Sequence, residues 1–258
     1  MDRPPPIDWP VPESFPALGP ADVHVWCAWL DDPQASGPQA GEALSAGEAA
    51  RGAAFHFEAG RRRYVAAHAL KRGLLARYLG VAPALLEFTA GPAGKPALAG
   101  DAGLQFNLSH SGPLALLAVA RNQPVGVDVE QRWELPELAS IEERMFTPAA
   151  LRRQQRLAPE PRLRGFYRRW TQLEAIGKCR GTGLELEAAR AGTEHLAPAD
   201  PAAGFTGCVA CARPPARVEF FRFAPGVLAA PPGHTAITHP TLPELPHRHP
   251  GLARLSSS

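Results

Sequence analysis

The sequence predicts an α+β protein in which helices and antiparallel strands are mixed along one chain. Two stretches, residues 60–80 and 161–180, repeat apolar residues at helical spacing. Six shorter stretches, 22–30, 105–108, 114–119, 124–130, 207–212 and 217–223, have strand length and strand composition. Turn residues around Gly112-Pro113 and Asn122-Gln-Pro124 separate three of them, which reads as an antiparallel meander.

Composition narrows the class. The 258 residues suffice for one large domain or two of about 100–150 residues. A hydrophobic content of 45% with 20% charged residues describes a globular chain. The net charge of +2 gives no reason to expect nucleic acid as a partner. No apolar run approaches the roughly 20 residues of a membrane span, and the start, MDRPPP, lacks a signal-peptide apolar region. A cytoplasmic protein is expected. The four cysteines, Cys27, Cys179, Cys208 and Cys211, fit that reading; Cys208 and Cys211 form a CxxC without the second pair that zinc needs, so these two are expected as buried free thiols.

Taken in order, residues 1–20 are proline-rich and irregular. Residues 22–30 alternate Val23, Val25 and Cys27 on one face. Residues 41–57 have helical composition. Residues 60–80 form an amphipathic helix led by Arg61, Arg62 and Arg63, with Tyr64, Ala67, Leu70, Leu74 and Tyr78 on its apolar side and Gly80 as stop signal. A loop at 91–96 precedes the three strands. Further helices are expected at 137–144, at 147–157, where Thr147 caps and Pro148 begins the first turn, and at 161–180. After 223 no regular closing strand is evident. Residues 225–258 are rich in Pro and His and are expected to be loosely ordered. His234, His239, His247 and His249 there match no metal spacing. No internal repeat is visible.

Chemistry concentrates in two segments. In VGVDVE at 125–130, period-two alternation puts Gly126, Asp128 and Glu130 on one face, the two acids roughly 7 Å apart. Carboxylates this close on an apolar strand either face water or share a cation, and magnesium takes one or two carboxylates plus substrate phosphates. Gly126 is expected to open that face to a ligand. In WTQLEAIGK at 170–178, Glu174 and Lys178 form an i, i+4 pair. By itself this is a surface ion pair; beside the acidic strand, Glu174 becomes a third metal ligand or base and Lys178 a phosphate contact. Ser109 and His110 suit phosphate oxygens. They lack a GxSxG setting and occupy opposite strand faces, which argues against a serine hydrolase. Lys95 and Arg63 add positive charge. Arg152, Arg153, Arg156, Arg162, Arg164, Arg168 and Arg169 form a cluster able to attract an acidic partner.

The ordered set GKP at 94–96, FNLSHS at 106–111, GVDVE at 126–130 and WTQLEAxxK at 170–178 resembles the Sfp-type 4′-phosphopantetheinyl transferases, as does the arginine-led helix. The resemblance covers about residues 50–185. It implies two similar α+β halves related by a pseudo-twofold axis, with coenzyme A in the cleft between them. The corresponding division is 1–20 irregular, 21–120 N-terminal half, 121–224 C-terminal half and 225–258 tail. It also implies transfer of the 4′-phosphopantetheine arm to a serine of an apo acyl or peptidyl carrier protein, with release of adenosine 3′,5′-bisphosphate, by a monomer. By motif, Asp128, Glu130 and Glu174 would bind Mg2+, and Glu174 and Lys178 would be catalytic. Arg51, Arg63, Lys95, Ser109, His110, Asp128 and Lys178 would contact coenzyme A.

Two features depart from the family pattern: Leu173 stands where a lysine is usual before the helix glutamate, and the C-terminal region lacks an evident closing strand. They motivate a second reading, a non-catalytic module binding coenzyme A or a carrier protein, in which Leu173→Lys would restore transfer.

Overall fold

The structure, a computed structural model, describes residues 6–32, 41–91, 93–100, 102–183 and 193–228. The chain forms β1 (Asp22–Trp29), α1 (Ala46–Ala53), α2 (Glu58–Leu79), the short hairpin β2 (Phe88–Ala90) and β3 (Pro96–Leu98), then β4 (Leu104–Ser111) and β5 (Leu114–Arg121). There follow β6 (Val125–Gln131), α3 (Leu138–Met145), α4 (Pro148–Gln154), α5 (Pro159–Arg180), β7 (His195–Pro198), β8 (Phe205–Cys211) and β9 (Arg217–Arg222). Left-handed glycines end both long helices, Gly80 at φ 69° and Gly181 at φ 73°, the conformation that only glycine adopts without cost. Thr147 accepts from the Ala150 amide to start α4.

Two sheets result, ordered β4-β5-β1-β9 and β6-β8-β7. In the first, β5 lies antiparallel between β4 and β1. In the second, β8 lies antiparallel between β6 and β7. The triplets β4-β5-β1 and β7-β8-β6 are therefore the same arrangement, each backed by a 22-residue helix. This is a two-half repeat with no visible counterpart in the sequence.

Three expectations are corrected here. The meander stops at β5, because both edges of that strand are taken by β4 and β1; the chain turns at Asn122, φ 51°, and β6 enters the other sheet. The second half does close, through β7 and β8, and β9 runs parallel to β1 in the first-half sheet. The tail begins in order: Pro225–Leu228 makes a 3-10 turn that places Val227 and Leu228 in the core against α2. The four tail histidines lie outside the described residues.

Alternation along the strands sorts the core into layers. Trp26, Ala28, Leu104, Phe106, Leu117 and Val119 pack against α2. The opposite faces of both sheets meet each other, with Val23, Val25, Cys27, Leu114 and Leu116 against Val125, Val127, Val129 and Val209. Cys208 and Ala210 pack against α5 with Phe166, Leu173 and Ile176. The order is helix, sheet, sheet, helix. All four cysteines are buried free thiols, and burial pushes Cys179 up to about 11 and Cys208 and Cys211 up to about 12.

Gly126 faces α5, not an open cleft. A Cβ at Gly126 would stand 2.1 Å from the Ala175 carbonyl oxygen and 2.3 Å from the Cys179 nitrogen. Backbone lies on backbone, which is what the missing side chain permits. Gly126→Ala is expected to cost about 3 kcal/mol, since neither partner is a side chain able to move aside. Urea denaturation that showed a loss below about 1 kcal/mol would contradict this packing.

Candidate active site

At one side of the face-to-face packing of the two sheets the edge strands β4 and β6 meet, through side chains instead of a backbone ladder. Asn107, Ser109 and Ser111 share one face of β4. Asn107 Oδ1 accepts from the Val127 amide at 2.9 Å. Ser109 Oγ donates to Asp128 Oδ1 at 2.9 Å, and Ser111 Oγ donates to Glu130 Oε2 at 2.6 Å while accepting from the Gln131 amide. The alternating polar residues at 107, 109 and 111 were a readable sign of this seam. Only Ser109 of the three was singled out from sequence.

Helix α5 lies over the seam. Because Gly126 lets its backbone come close, Lys178 reaches Asp128 Oδ1 at 2.5 Å and Ser109 Oγ at 3.3 Å. Glu174 Oε2 lies 3.9 Å from Lys178 Nζ. Asp128, Glu130, Glu174 and Lys178 thus come together, from a strand of seven residues and the last turns of a helix begun about thirty residues later.

The electrostatics are those of a site short of positive charge. Asp128 is 2% exposed, and burial raises its pKa despite Lys178 and Ser109. Burial also raises Glu130, with Asp128 adding to the effect while Ser111, Lys178 and the Trp170 indole oppose it. Glu174 is raised by burial first, with Asp128 contributing and Lys178 opposing. Asp128 Oδ2 is buried and has no hydrogen-bond partner.

An orphaned carboxylate oxygen amid three raised carboxylates fits a divalent cation. Among the described residues, no group of three His, Cys, Asp or Glu side chains converges tightly enough to hold a metal alone. Magnesium, which normally keeps water and substrate phosphates as ligands, does not need such a group.

The remaining predicted contacts fall into separate places. Ser109 is buried with its hydroxyl committed to Asp128, and His110 points to the opposite side of β4, so the two form no hydrolase pair. His110 is exposed yet ringed by protein; desolvation, then Lys178 and Arg63, lowers its pKa. Arg63, half-buried on α2, makes a two-pronged ion pair with Asp31, at 2.8 and 2.6 Å. Arg51 is exposed on α1. Lys95 is placed differently from the expectation: its ammonium donates to the Val125 and Cys179 carbonyls, not toward open space.

Leu173 is fully buried in the layer between α5 and its sheet. A lysine at this position would have to place its stem in this apolar layer, which argues against the expectation that Leu173→Lys would restore transfer.

Residues 124–214 match the family model described as 4′-phosphopantetheinyl transferase superfamily, and residues 32–122 match the one described as 4′-phosphopantetheinyl transferase, N-terminal. The chain is 37% identical over 180 residues to the 4′-phosphopantetheinyl transferase HetI of Nostoc sp., a match spanning 67% of this chain and 76% of that protein. The chain belongs to the 4′-phosphopantetheinyl transferase superfamily. A putative 4′-phosphopantetheinyl transferase of Synechocystis sp. is 33% identical over 163 residues, 62% of this chain and 65% of that one. A 4′-phosphopantetheinyl transferase of Bacillus subtilis is 28% identical over 166 residues, 64% and 73% of the two chains. The two family models of this transferase meet at the Asn122–Pro124 turn, where the chain passes from one sheet to the other.

Proposed function

We propose that this transferase moves the 4′-phosphopantetheine arm of coenzyme A to a serine of an apo acyl or peptidyl carrier protein, in a magnesium-dependent reaction that releases adenosine 3′,5′-bisphosphate. The observation that carries the reading is the buried, unpartnered Asp128 Oδ2 beside two further raised carboxylates and one lysine. Asp128, Glu130 and Glu174 would hold Mg2+ together with the coenzyme A pyrophosphate. The ion, when bound, neutralises charge that develops on the phosphate oxygens.

Phosphoryl transfer asks a protein mainly for positioning and charge. The serine hydroxyl of the carrier forms the new bond to phosphorus, and the bond to the adenosine-side phosphate breaks. Glu174, partly open to solvent and with a raised pKa, is suited to take the serine proton. Lys178 would contact the departing phosphate. His110, Arg63 and Arg51 would face the other coenzyme A phosphates, Arg63 exchanging Asp31 for phosphate. Arg152, Arg153, Arg156 and Arg168 are exposed on α4, α5 and the turn between them, suited to an acidic carrier. Arg162 and Arg164 are instead paired with Glu142 and Glu160. Among the described residues no helix is long and apolar enough to cross a membrane. A monomer in the cytoplasm accords with this reading.

The binding-module alternative rested on Leu173 and on an open C-terminal half. Leu173 is core, and β7 and β8 complete the second sheet, so neither feature favours it. Intact-mass spectrometry of an apo carrier incubated with this protein, coenzyme A and Mg2+ is the test. One added phosphopantetheine arm, absent when magnesium is omitted, is the expected result. Unmodified fatty-acid, polyketide and peptide carriers, with coenzyme A nevertheless bound, would establish the module instead.

A further inference from the structure

Lys95 stands at the tip of the β2–β3 hairpin in the first half, yet both hydrogen bonds of its side chain go to the second. Its Nζ donates to the Val125 carbonyl, at the start of β6, at 2.9 Å, and to the Cys179 carbonyl, in the last turn of α5, at 3.3 Å. The Cys179 carbonyl is one of the four at a helix end that have no partner within the helix, and a cation there is favoured by the helix dipole. The lysine stem also packs on the helix terminus, its Cδ lying 3.6 Å from where a Cβ on Gly181 would stand. The hairpin tip is itself held, with the Gly91 amide donating to the Lys95 carbonyl at 2.8 Å and Gly94 at φ 77°.

The two carbonyls that Lys95 joins flank the backbone contact at Gly126. One residue back from Cys179 is Lys178, and two residues beyond Gly126 is Asp128; these meet at 2.5 Å. We propose that Lys95 is a positioning residue that fastens α5 to β6 from the opposite half, and so sets Lys178 against Asp128, instead of contacting coenzyme A phosphates. The consequence for catalysis rests on the transferase reading above. The fastening itself does not.

The test compares Lys95→Met with the unaltered full-length chain in carrier modification, using coenzyme A and 3′-dephospho-coenzyme A, and in amide hydrogen exchange. Loss of both charge-assisted bonds is expected to lower kcat at least roughly tenfold with either donor and to leave KM within about twofold. Exchange at the Gly181 and Thr182 amides, which donate to the Gly177 carbonyl, is expected to quicken roughly tenfold. A rise in KM confined to coenzyme A, with unchanged kcat and exchange, would overturn the proposal and make Lys95 a phosphate contact. If Lys95→Met does not fold, the unaltered protein decides: saturating coenzyme A should leave exchange at Gly181 and Thr182 unchanged or slower. Faster exchange would mean that the ammonium had left its carbonyls for phosphate. Absence of transfer by the unaltered protein would remove the transferase reading, while the exchange comparison still decides the role of Lys95.

Discussion

Glu48→Gln is expected to destabilise the fold by about 3–5 kcal/mol at neutral pH, the usual cost of stranding buried charge. Glu48 first serves locally: it completes a capping box with Ser45 at the start of α1. Its carboxylate then accepts from His68 Nδ1 at 2.9 Å, Lys71 Nζ at 2.8 Å and Arg72 Nε at 2.5 Å, all on α2. Lys71 and Arg72 are 3% and 2% exposed. Two buried cations would lose their carboxylate: Lys71 would keep the neutral amide, His68 Nδ1 and the Phe88 ring face, and Arg72 the Pro83 and Leu86 carbonyls. Burial alone would raise the Glu48 pKa, but Lys71, His68, Ser45 and Arg72 together outweigh it and hold the carboxyl well below its usual range. Burial lowers Lys71 and His68 as well, each having one carboxylate against it where Glu48 has three basic donors. We take the Glu48–Lys71–Arg72 group as ionised, because every charge in it has a partner within hydrogen-bond reach. A depressed carboxylate stabilises the fold above its unfolded pKa, about 4.5, and the contribution is lost as pH falls toward the folded value. The difference between wild type and Glu48→Gln should therefore be full at pH 7 and shrink below about pH 4.5. Urea titrations at pH 7 and pH 4 measure it, and a difference independent of pH would show that shape and not charge holds α1 to α2.

How far the sequence could be read depended on the range of each interaction. The acids on β6 were legible because alternation is a local rule: Asp128 and Glu130 do share a face. What that face looks at was not legible. Gly126 was expected to leave room for a ligand, and the occupant is the backbone of α5, about fifty residues on. Lys95 in its glycine-proline loop has the composition of a phosphate contact, and nothing nearby in sequence reports that the Val125 and Cys179 carbonyls accept its hydrogen bonds. Leu173 was legible as core from its helical stripe, and its complete burial follows from that stripe alone. The Glu48 group was missed because its partners lie 20 to 24 residues away on another helix. The two-half repeat was expected from the family resemblance, and the residues themselves hid it for another reason. Equivalent layers need only equivalent polarity patterns, so β1 and β6 can hold the same place with little residue identity.

Asp128→Asn should leave the fold standing and lower transfer by about a thousandfold, the scale of losing one preorganised charge at a phosphoryl-transfer site. The amide oxygen can still accept from Ser109 and Lys178, so the seam between β4 and α5 keeps its hydrogen bonds. What disappears is a carboxylate held in the apolar layer against its desolvation cost. Because the Asp128 pKa is raised on folding, the folded state binds its proton more tightly than the unfolded one does. Its contribution to stability is thus present below the unfolded carboxyl pKa and lost as pH rises through the folded value. Without magnesium, the variant should gain in Tm relative to wild type as pH rises from 4 to 8. Adding magnesium should raise the wild-type Tm, more at pH 8 than at pH 5, and should do little to Asp128→Asn, since a cation binds the deprotonated site. Asp128 would then be costly to the fold and kept for the reaction, as expected where activity needs a destabilised site. Thermal scans with and without magnesium, read beside carrier mass spectra, separate the two roles. A variant that transferred normally, or one whose Tm responded to magnesium as wild type does, would move the cation away from Asp128 and remove the central support for the proposed chemistry.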